Sequence, residues 1–561
     1  MYNIIFKIEN VGDVKVRAEK GENILELAVK NGVAVDSPCS GNGTCGKCRM
    51  RLISGSCDTV HSPRLSKDDF RDMWRLACRC TVNGDAVFFV PASAGAFQSD
   101  IRTADLGSAE ELGRYQTMLE ELFDSGISRG CGEKGIGVAV DIGTTTVTAA
   151  MLDLESGEVI SKGSLGNGQI KYGADVINRI IQASKPGGKE KLRRAVLDET
   201  VLPIFSRMCV EADISPEAIS RVVIAGNTTM EHLFVGADAD SIRLEPYVPE
   251  FLELTGQTAA MLDISAAPEA PVIFAPNVGS YVGGDITAGV LASRLWAVSA
   301  DKQTLFIDLG TNGEMALGNS EYMLCCACSA GPAFEGGDIS CGMRATSGAV
   351  DEVSIDAETL EPSLSVIGGG KPAGLCGSGL IAVISELFRC GALSPKGRFI
   401  RDDPRIRHDD YGGASYVLAF ASESATGHDI ELDESDIDNF IRAKAAIFSA
   451  IRTMLKSIDL TPGDIDNIIL AGGIGSGINI EKAISIGMLP NIPRGKYSYI
   501  GNSSLTGACA MLLSDEAAEK VFEIGRNMTY IELSSEAGYM DEFVAACFLP
   551  HTDASLFGVE Q

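Results

Sequence analysis

Ile136-Gly-Val-Ala-Val-Asp141-Ile-Gly143-Thr144-Thr145-Thr146-Val147 reads as an apolar strand that runs into Asp-x-Gly-Thr and out into a second strand, 147–152. A turn built from Gly and Thr presents backbone N–H groups and hydroxyls, a surface suited to phosphate oxygens. An aspartate at the end of such a strand can hold Mg²⁺ through water. The same pattern returns 167 residues later as Leu305-Phe-Ile-Asp308-Leu-Gly310-Thr311-Asn312-Gly313-Glu314-Met315. Downstream of the first copy lies Arg221-Val-Val-Ile-Ala225-Gly226. Downstream of the second lies Asn467-Ile-Ile-Leu-Ala471-Gly472-Gly473-Ile474-Gly475. Each of these is an apolar strand ending in Ala-Gly. Two hairpins followed in the same order by such strands imply two related α/β lobes facing a cleft.

Upstream, the chemistry changes. Six of the 16 cysteines fall in the first 80 residues, and their core is Pro38-Cys39-Ser-Gly-Asn-Gly-Thr-Cys45-Gly-Lys-Cys48, with Leu76-Ala77-Cys78 further on. This C-x5-C-x2-C…C spacing lies one residue from the plant-type [2Fe–2S] pattern. Three ligands converging on one cluster need tight turns, which Gly41, Gly43 and Gly46 permit. Structural zinc sites usually carry two C-x2-C pairs, and only one occurs in the first 80 residues. Apolar alternation over 4–8 and 14–17 predicts a hairpin, 23–30 a short helix, and 47–53 and 87–90 strands.

Composition sets the frame. The chain has 561 residues, 45% hydrophobic and 22% charged, which suits three or four globular domains. It carries 47 Lys+Arg against 76 Asp+Glu, a net charge of −29 that argues against a nucleic-acid partner. Residues 1–94 hold 13 basic and 11 acidic side chains, so a near-neutral head precedes a body of 34 against 65. No run of 18 apolar residues predicts a membrane span, and the start lacks a signal-peptide layout, so a cytoplasmic protein is expected. In that compartment the cysteines read as metal-binding or catalytic rather than as disulfides. Domain limits are read as 1–94 for the head, 95–134 for a polar linker with one helix near 110–123, 135–300 for lobe I and 301–561 for lobe II.

The cysteine loop and its flanks resemble the β-grasp ferredoxin domain, with the adrenodoxin-like spacing. The resemblance makes Cys39, Cys45, Cys48 and Cys78 the ligands of a [2Fe–2S] cluster, the last because of its Leu-Ala-Cys context. Cys80 is the fallback, and Cys57 reads as a free thiol. The two hairpins with their Ala-Gly strands resemble the actin, hexokinase and heat-shock-chaperone ATPases, over roughly residues 135–530. A multidomain α+β and α/β architecture with two RNase-H-like lobes is implied. So is ATP with Mg²⁺: Asp141 and Asp308 near the metal, and Gly143, Thr144, Thr145, Thr146, Gly310, Thr311, Asn312 and Gly313 around the phosphates. Gly472, Gly473 and Gly475 would let backbone approach the adenosine. Gly283-Gly284-Asp285-Ile-Thr-Ala-Gly289 resembles the connecting helix of sugar kinases, so Asp285 would orient the attacking water.

A ferredoxin fused to this ATPase resembles the reductive activators of corrinoid proteins. Further segments carry the likeness: Ala225–Gly236, Pro276–Gly289, Ser329–Gly337 and Cys376–Leu380. The resemblance implies ATP-dependent one-electron reduction of a corrinoid methyl carrier from Co(II) to Co(I), fed by an external low-potential donor or reductase. Some members carry a further domain that 95–134 is too short to hold, so their dimer contacts do not transfer and a homodimer stays open. Two alternatives are an activator of 2-hydroxyacyl-CoA dehydratase type and a redox-sensing ATP-binding protein. A plain sugar kinase fits least, because phosphoryl transfer needs no electron carrier. Cys325, Cys326, Cys328 and Cys341 read as buried small residues rather than a second metal site, and Ser329 as a speculative corrinoid contact. The five histidines show no metal spacing.

Overall fold

Ile4 and Phe6 are buried while Asn3 and Lys7 face solvent, the period-2 pattern of a half-covered strand. That strand, β1 (Tyr2–Ile8), begins a computed structural model that describes every residue except 10, 36, 38–40, 42, 44–45, 63, 66, 92–104, 174, 409–411, 474–476 and 559–561. Cys39, Cys45 and Gly475 therefore lie outside the described residues. β1 pairs antiparallel with β2 (Gly12–Ala18). With β3 (Arg49–Thr59), β4 (Trp74–Leu76) and β5 (Cys80–Val90) it forms a sheet of order β2-β1-β5-β3-β4. The helix Ile24–Lys30 starts where the Asn23 side chain accepts from the N–H groups of Leu25 and Glu26. Its apolar face, Ile24, Leu25, Leu27 and Ala28, closes the core of this β-grasp head.

The two lobes repeat one plan. In lobe I, β6 (Asp105–Leu106), β7 (Ile136–Ile142), β8 (Thr146–Asp153), β9 (Val159–Gly166), β10 (Ile219–Gly226), β11 (Gln257–Thr258) and β12 (Pro271–Phe274) take the order β11-β12-β10-β7-β8-β9-β6. Lobe II opens with β13 (Thr304–Leu309), β14 (Gly313–Gly318) and β15 (Met323–Cys328). Two three-stranded sheets are then inserted: β16 (Ala349–Ile355), β17 (Pro362–Val366) and β18 (Gly374–Leu375), then β19 (Ile406–His408), β20 (Ala414–Ala419) and β21 (Ile430–Asp433). The chain returns through β22 (Asn467–Ala471), β23 (Tyr497–Tyr499) and β24 (Met528–Tyr530), giving the order β23-β22-β13-β14-β15-β24. In both lobes three antiparallel strands are followed by parallel ones. The register places Asp141 opposite Ala225 and Asp308 opposite Ala471. Val138, Ala139 and Val140 are all buried, as a central strand covered on both faces requires.

Two helices cross between the lobes, Gly284–Ser293 and Ser503–Leu513. They approach so closely that a Cβ on Gly507 would lie 2.1 Å from the Ala288 carbonyl oxygen. The stretch read as a linker is built into lobe I. β6 pairs with β9, and the helix Ala109–Phe123, started by a Ser108–Glu111 capping box, buries Leu119, Leu122 and Phe123.

The head sits on lobe II. Arg64 Nη1 donates to Asp436 Oδ1 at 3.0 Å and to Asp433 Oδ2 at 3.2 Å. The Arg64 and Asp436 side chains are 7% and 0% exposed. Lys47 Nζ donates to the carbonyls of Gly342 (2.8 Å) and Ser340 (3.2 Å). Among the described residues no helix is long and apolar enough to cross a membrane.

Candidate functional site

Each Asp-x-Gly-Thr segment folds the same way. Asp141 and Asp308 are the penultimate residues of β7 and β13, and the turns that follow lead directly into β8 and β14. The turns meet across the cleft, where the Thr145 and Thr311 hydroxyls lie 2.9 Å apart and both donate to Glu335 Oε2, at 2.6 and 2.9 Å. Residues 143–146 and 310–312, with Asp141, Asp285, Asp308, Gly472 and Gly473, line one cavity of about 1130 Å³. Gly313 stands apart from that lining; a Cβ there would lie 2.8 Å from Cys328 Sγ, so its role is core packing.

Behind the first hairpin lies Arg179, fully buried. It donates to the carbonyls of Thr144 (2.5 Å) and Gly173 (2.8 Å) and to Gln169 Oε1 (3.2 Å). Burial pushes its guanidinium down to about 9, so it is still charged at neutral pH and holds positive potential behind the turn. Asn227 Nδ2 donates to Thr144 Oγ1 at 3.0 Å while its Oδ1 caps the helix Thr228–Val235.

The cleft floor is acidic. Asp141 accepts from Asn502 Nδ2 and Ser504 Oγ, both at 2.8 Å. Burial raises its carboxyl, and those two bonds partly offset the rise. Burial and then the Asp141 charge push Asp308 up to about 7. Asp285, in the first turn of its helix, is raised well above the usual range by burial, then by Asp141 and Asp308. Glu314 rises through burial, Asp285 and Asp308; Glu231 rises through burial despite a bond from Asn277 Nδ2 at 2.9 Å. Glu231 Oε1 is buried with no hydrogen-bond partner. Four carboxyl groups on the cavity wall, Asp141, Asp285, Asp308 and Glu314, with raised affinity for protons suit a cation, and Glu231 lies behind them near Asp285. Among the described residues no three His, Cys, Asp or Glu side chains are grouped to hold a metal directly. A Mg²⁺ here would therefore keep water and phosphate oxygens among its ligands, its usual mode.

The sign of the pH effect follows. Between about 4, the usual aspartate value, and about 7, folded Asp308 keeps a proton that the unfolded chain has lost, so stability falls as pH rises through that window. Without nucleotide, Tm is expected to drop by several degrees between pH 5 and 8, with a flatter profile in Asp308→Asn. An unchanged slope in that variant would assign the effect to other groups.

Gly472 has φ +90°, and a Cβ there would lie 2.4 Å from the Leu309 carbonyl oxygen and 2.6 Å from Asp308 Oδ1. Its first task is thus to let β22 close against the second hairpin. Gly473 has nothing within 4 Å of a Cβ and leaves the cavity wall open. Gly472→Ala is expected to destabilise the fold by about 1–3 kcal/mol, the cost of strain of this kind, read as a lowered Tm.

In the head, β3–β4 pairing and the turn Ala77–Arg79 bring Cys48 and Cys78 together, both buried. The Cys48 carbonyl accepts from the Ala77 N–H at 2.8 Å, and Asn23 Nδ2 donates to the Cys78 carbonyl at 2.9 Å. A Cβ on Gly41 would lie 3.8 Å from Cys78 Cβ, so the glycine loop lies against this cysteine. Gly41, Gly43 and Gly46 have φ of +86°, +76° and +71°, conformations that favour glycine. Two buried cysteines on adjoining backbone, one of them against such a loop, fit a thiolate-held cluster. Cys80 faces elsewhere: its Sγ lies 3.5 Å from Thr59 Oγ1, which in turn lies 3.4 Å from Cys57 Sγ.

Cys325, Cys326 and Cys328 are buried in β15 with their thiols pushed up by burial. Ser329 beside them is exposed, while Cys341 lies near Lys47 of the head. His232 and His551 are buried, and His61, His408 and His428 are exposed.

Sequence reasoning missed Glu231, Glu314, Glu335, the run Asn502–Ser504 and the helix Ala109–Phe123, whose Arg114, Tyr115 and Met118 line the cavity. Glu231 and Glu335 lie inside segments singled out for family likeness. Glu314 lies inside the second quoted hairpin and the helix was expected as a helix, but nothing in either, or in Asn502–Ser504, marks it as facing the cleft.

Residues 7–83 match the 2Fe-2S iron-sulfur cluster binding domain, 136–297 the RACo middle region, and 302–560 the C-terminal domain of RACo, the ASKHA domain. The chain is 34% identical over 418 residues to the corrinoid activation enzyme RamQ of Eubacterium limosum, which spans 73% of this chain and 69% of the relative. This chain belongs to the reductive activators of corrinoid proteins. The corrinoid activator fold extends over its whole length. A solved reductive activator for corrinoid, iron-sulfur protein covers 99% of this chain and 100% of its own, at TM-score 0.70 and 37% identity. Another similar member, the [Co(II) methylated amine-specific corrinoid protein] reductase of Methanosarcina barkeri, is 25% identical over 425 residues, 70% of this chain and 73% of the relative.

Proposed function

We propose that this chain is a cytoplasmic, ATP-hydrolysing activator that passes one electron to a corrinoid methyl-carrier protein and returns its cobalt from Co(II) to Co(I). The observation that carries this reading is the seating of a ferredoxin head on the same lobe that supplies the Asp308 hairpin of the cleft. Cys39, Cys45, Cys48 and Cys78 would hold the [2Fe–2S] cluster, which when bound supplies electrons one at a time, the stoichiometry of the cobalt step.

In the cleft, residues 143–146 and 310–312 would receive the phosphates of ATP through hydroxyls and backbone N–H groups. Asp141 and Asp308 flank the place for Mg²⁺ from opposite lobes. Asn502 and Ser504 orient Asp141, and Ser503 Oγ, at 3.4 Å, contacts Asp308. Asp285 would orient water toward the terminal phosphate and accept its proton, a task that suits a buried carboxyl of raised pKa. The backbone at Gly472, Gly473 and Gly475 would face the adenosine.

Moving one electron uphill costs about 2.3 kcal/mol per 100 mV. ATP can contribute only if its bound and hydrolysed states differ in affinity for the partner. The acidic body favours a partner with a basic or neutral docking patch, and docking is expected to weaken with salt. A separate low-potential reductase would refill the head.

The test is anaerobic: cluster-loaded protein, reductant, Mg–ATP and candidate Co(II) corrinoid proteins, followed by Co(I) absorbance. Co(I) formation of equal extent with and without ATP would overturn the coupling.

A further inference from the structure

The cleft and the ferredoxin head share one short segment of lobe II. Glu335 ends the turn Pro332–Glu335 and accepts from both cleft threonines. Five and seven residues later, the carbonyls of Ser340 and Gly342 accept from Lys47, which falls between Cys45 and Cys48 of the cluster loop. Ser340 also donates to Asp436 through its N–H, at 3.0 Å, and through its hydroxyl. Asp436 is the carboxylate that receives Arg64 of the head.

The segment between these points is a closed loop. A Cβ on Gly342 would lie 2.6 Å from the Gly336 carbonyl oxygen, and a Cβ on Gly336 would lie 2.4 Å from the Met343 nitrogen. Its two ends are thus in direct backbone contact. Asn439 Nδ2 ties its middle to the helix Glu434–Ser457 through the Asp338 carbonyl, at 2.7 Å. With so little slack, a displacement at Glu335 is transmitted to Gly342 rather than absorbed.

Glu335 occupies a telling position. Its carboxylate sits on the two hydroxyls, one from each hairpin, that a terminal phosphate would use. A phosphate arriving there competes for the same donors and repels the carboxylate.

We infer that residues 332–343 are a strap through which the terminal phosphate of a bound nucleotide, by displacing Glu335 from Thr145 and Thr311, loosens the seat of the ferredoxin head on Ser340, Gly342, Asp433 and Asp436. This rests on the reading of the cleft as an ATP site. The head is held while the cleft is empty or contains a diphosphate, and is freed to meet its redox partner when a triphosphate is bound.

Hydrogen–deuterium exchange of the full-length, cluster-loaded protein tests it. A non-hydrolysable ATP analogue with Mg²⁺ is expected to speed exchange on the order of tenfold in peptides covering 336–343 and 433–437, and ADP with Mg²⁺ to leave them unchanged. Without nucleotide, Arg64→Gln and Glu335→Ala should each reproduce the faster exchange at both places, with the cluster spectrum retained. Should Arg64→Gln fold poorly, Lys47→Met serves in its place. Calorimetry on the same samples separates the outcomes. Analogue binding without a change in exchange overturns the strap alone. Absence of analogue binding overturns both the strap and the ATP reading.

Discussion

Asp141→Ala is expected to purify with an intact ferredoxin-type visible spectrum and to lose at least about a hundredfold of the proposed ATP-dependent Co(I) formation. The magnitude follows from the position. Asp141 projects from β7 into a cleft where Asn502 and Ser504 each hold one of its oxygens at 2.8 Å, so its geometry is set before any ligand arrives. Removing one preorganised electrostatic group from such a site typically costs about 10²–10³ in rate. The head should be unaffected, because its core is a separate cluster of side chains built from Ile4, Phe6, Leu76 and Phe88. Iron content, visible absorbance and the rate of Co(I) appearance are the three measurements. Loss of iron from this variant would mean that head and lobes fold together, and an undiminished Co(I) rate would remove Asp141 from the catalytic set.

Cys78→Ser carries the second large effect, with Cys80→Ser as its control. The first variant is expected to lose the [2Fe–2S] absorbance and reduced-state EPR signal and, with them, essentially all electron transfer to the corrinoid protein. The second should retain both. The two cysteines are two residues apart, yet their surroundings differ. Cys78 lies in the turn Ala77–Arg79 against the Gly41 loop, whereas Cys80 is a strand residue turned toward Thr59. A hydroxyl is a poor iron ligand, and the thiolate is the species that binds. The reverse pattern, with the cluster lost only in Cys80→Ser, would move the fourth ligand to Cys80. The proposed ATP hydrolysis should persist in Cys78→Ser, because its cleft is intact.

Much of the fold was legible because it rests on local rules. The β1–β2 hairpin follows from alternation, the helix Ile24–Lys30 from its apolar pattern, and the hairpins after Asp141 and Asp308 from Gly and Thr between apolar strands. The helix Ala109–Phe123 was legible as a helix but not as a wall of the cleft, since nothing in its own pattern says what it covers. Gly472 was expected to let backbone approach a nucleotide, while its positive φ and its closeness to Asp308 emerge only when β22 lies beside β13.

The sequence by itself determined the chemistry that the chain carries: spaced thiols for a cluster, and two phosphate-type hairpins in repeated order. Those are decided by residue type and by spacings of a few positions, which the backbone cannot rearrange. Tertiary structure alone decided how the parts are set against one another. Glu314 joins the aspartates of the cleft, Glu231 comes to lie near Asp285, Glu335 bridges Thr145 and Thr311, and Arg64 finds Asp436 across 372 residues of chain. Such pairings depend on the packing of whole lobes, in which a carboxylate's partners and affinity for protons are set by burial and by charges distant in sequence.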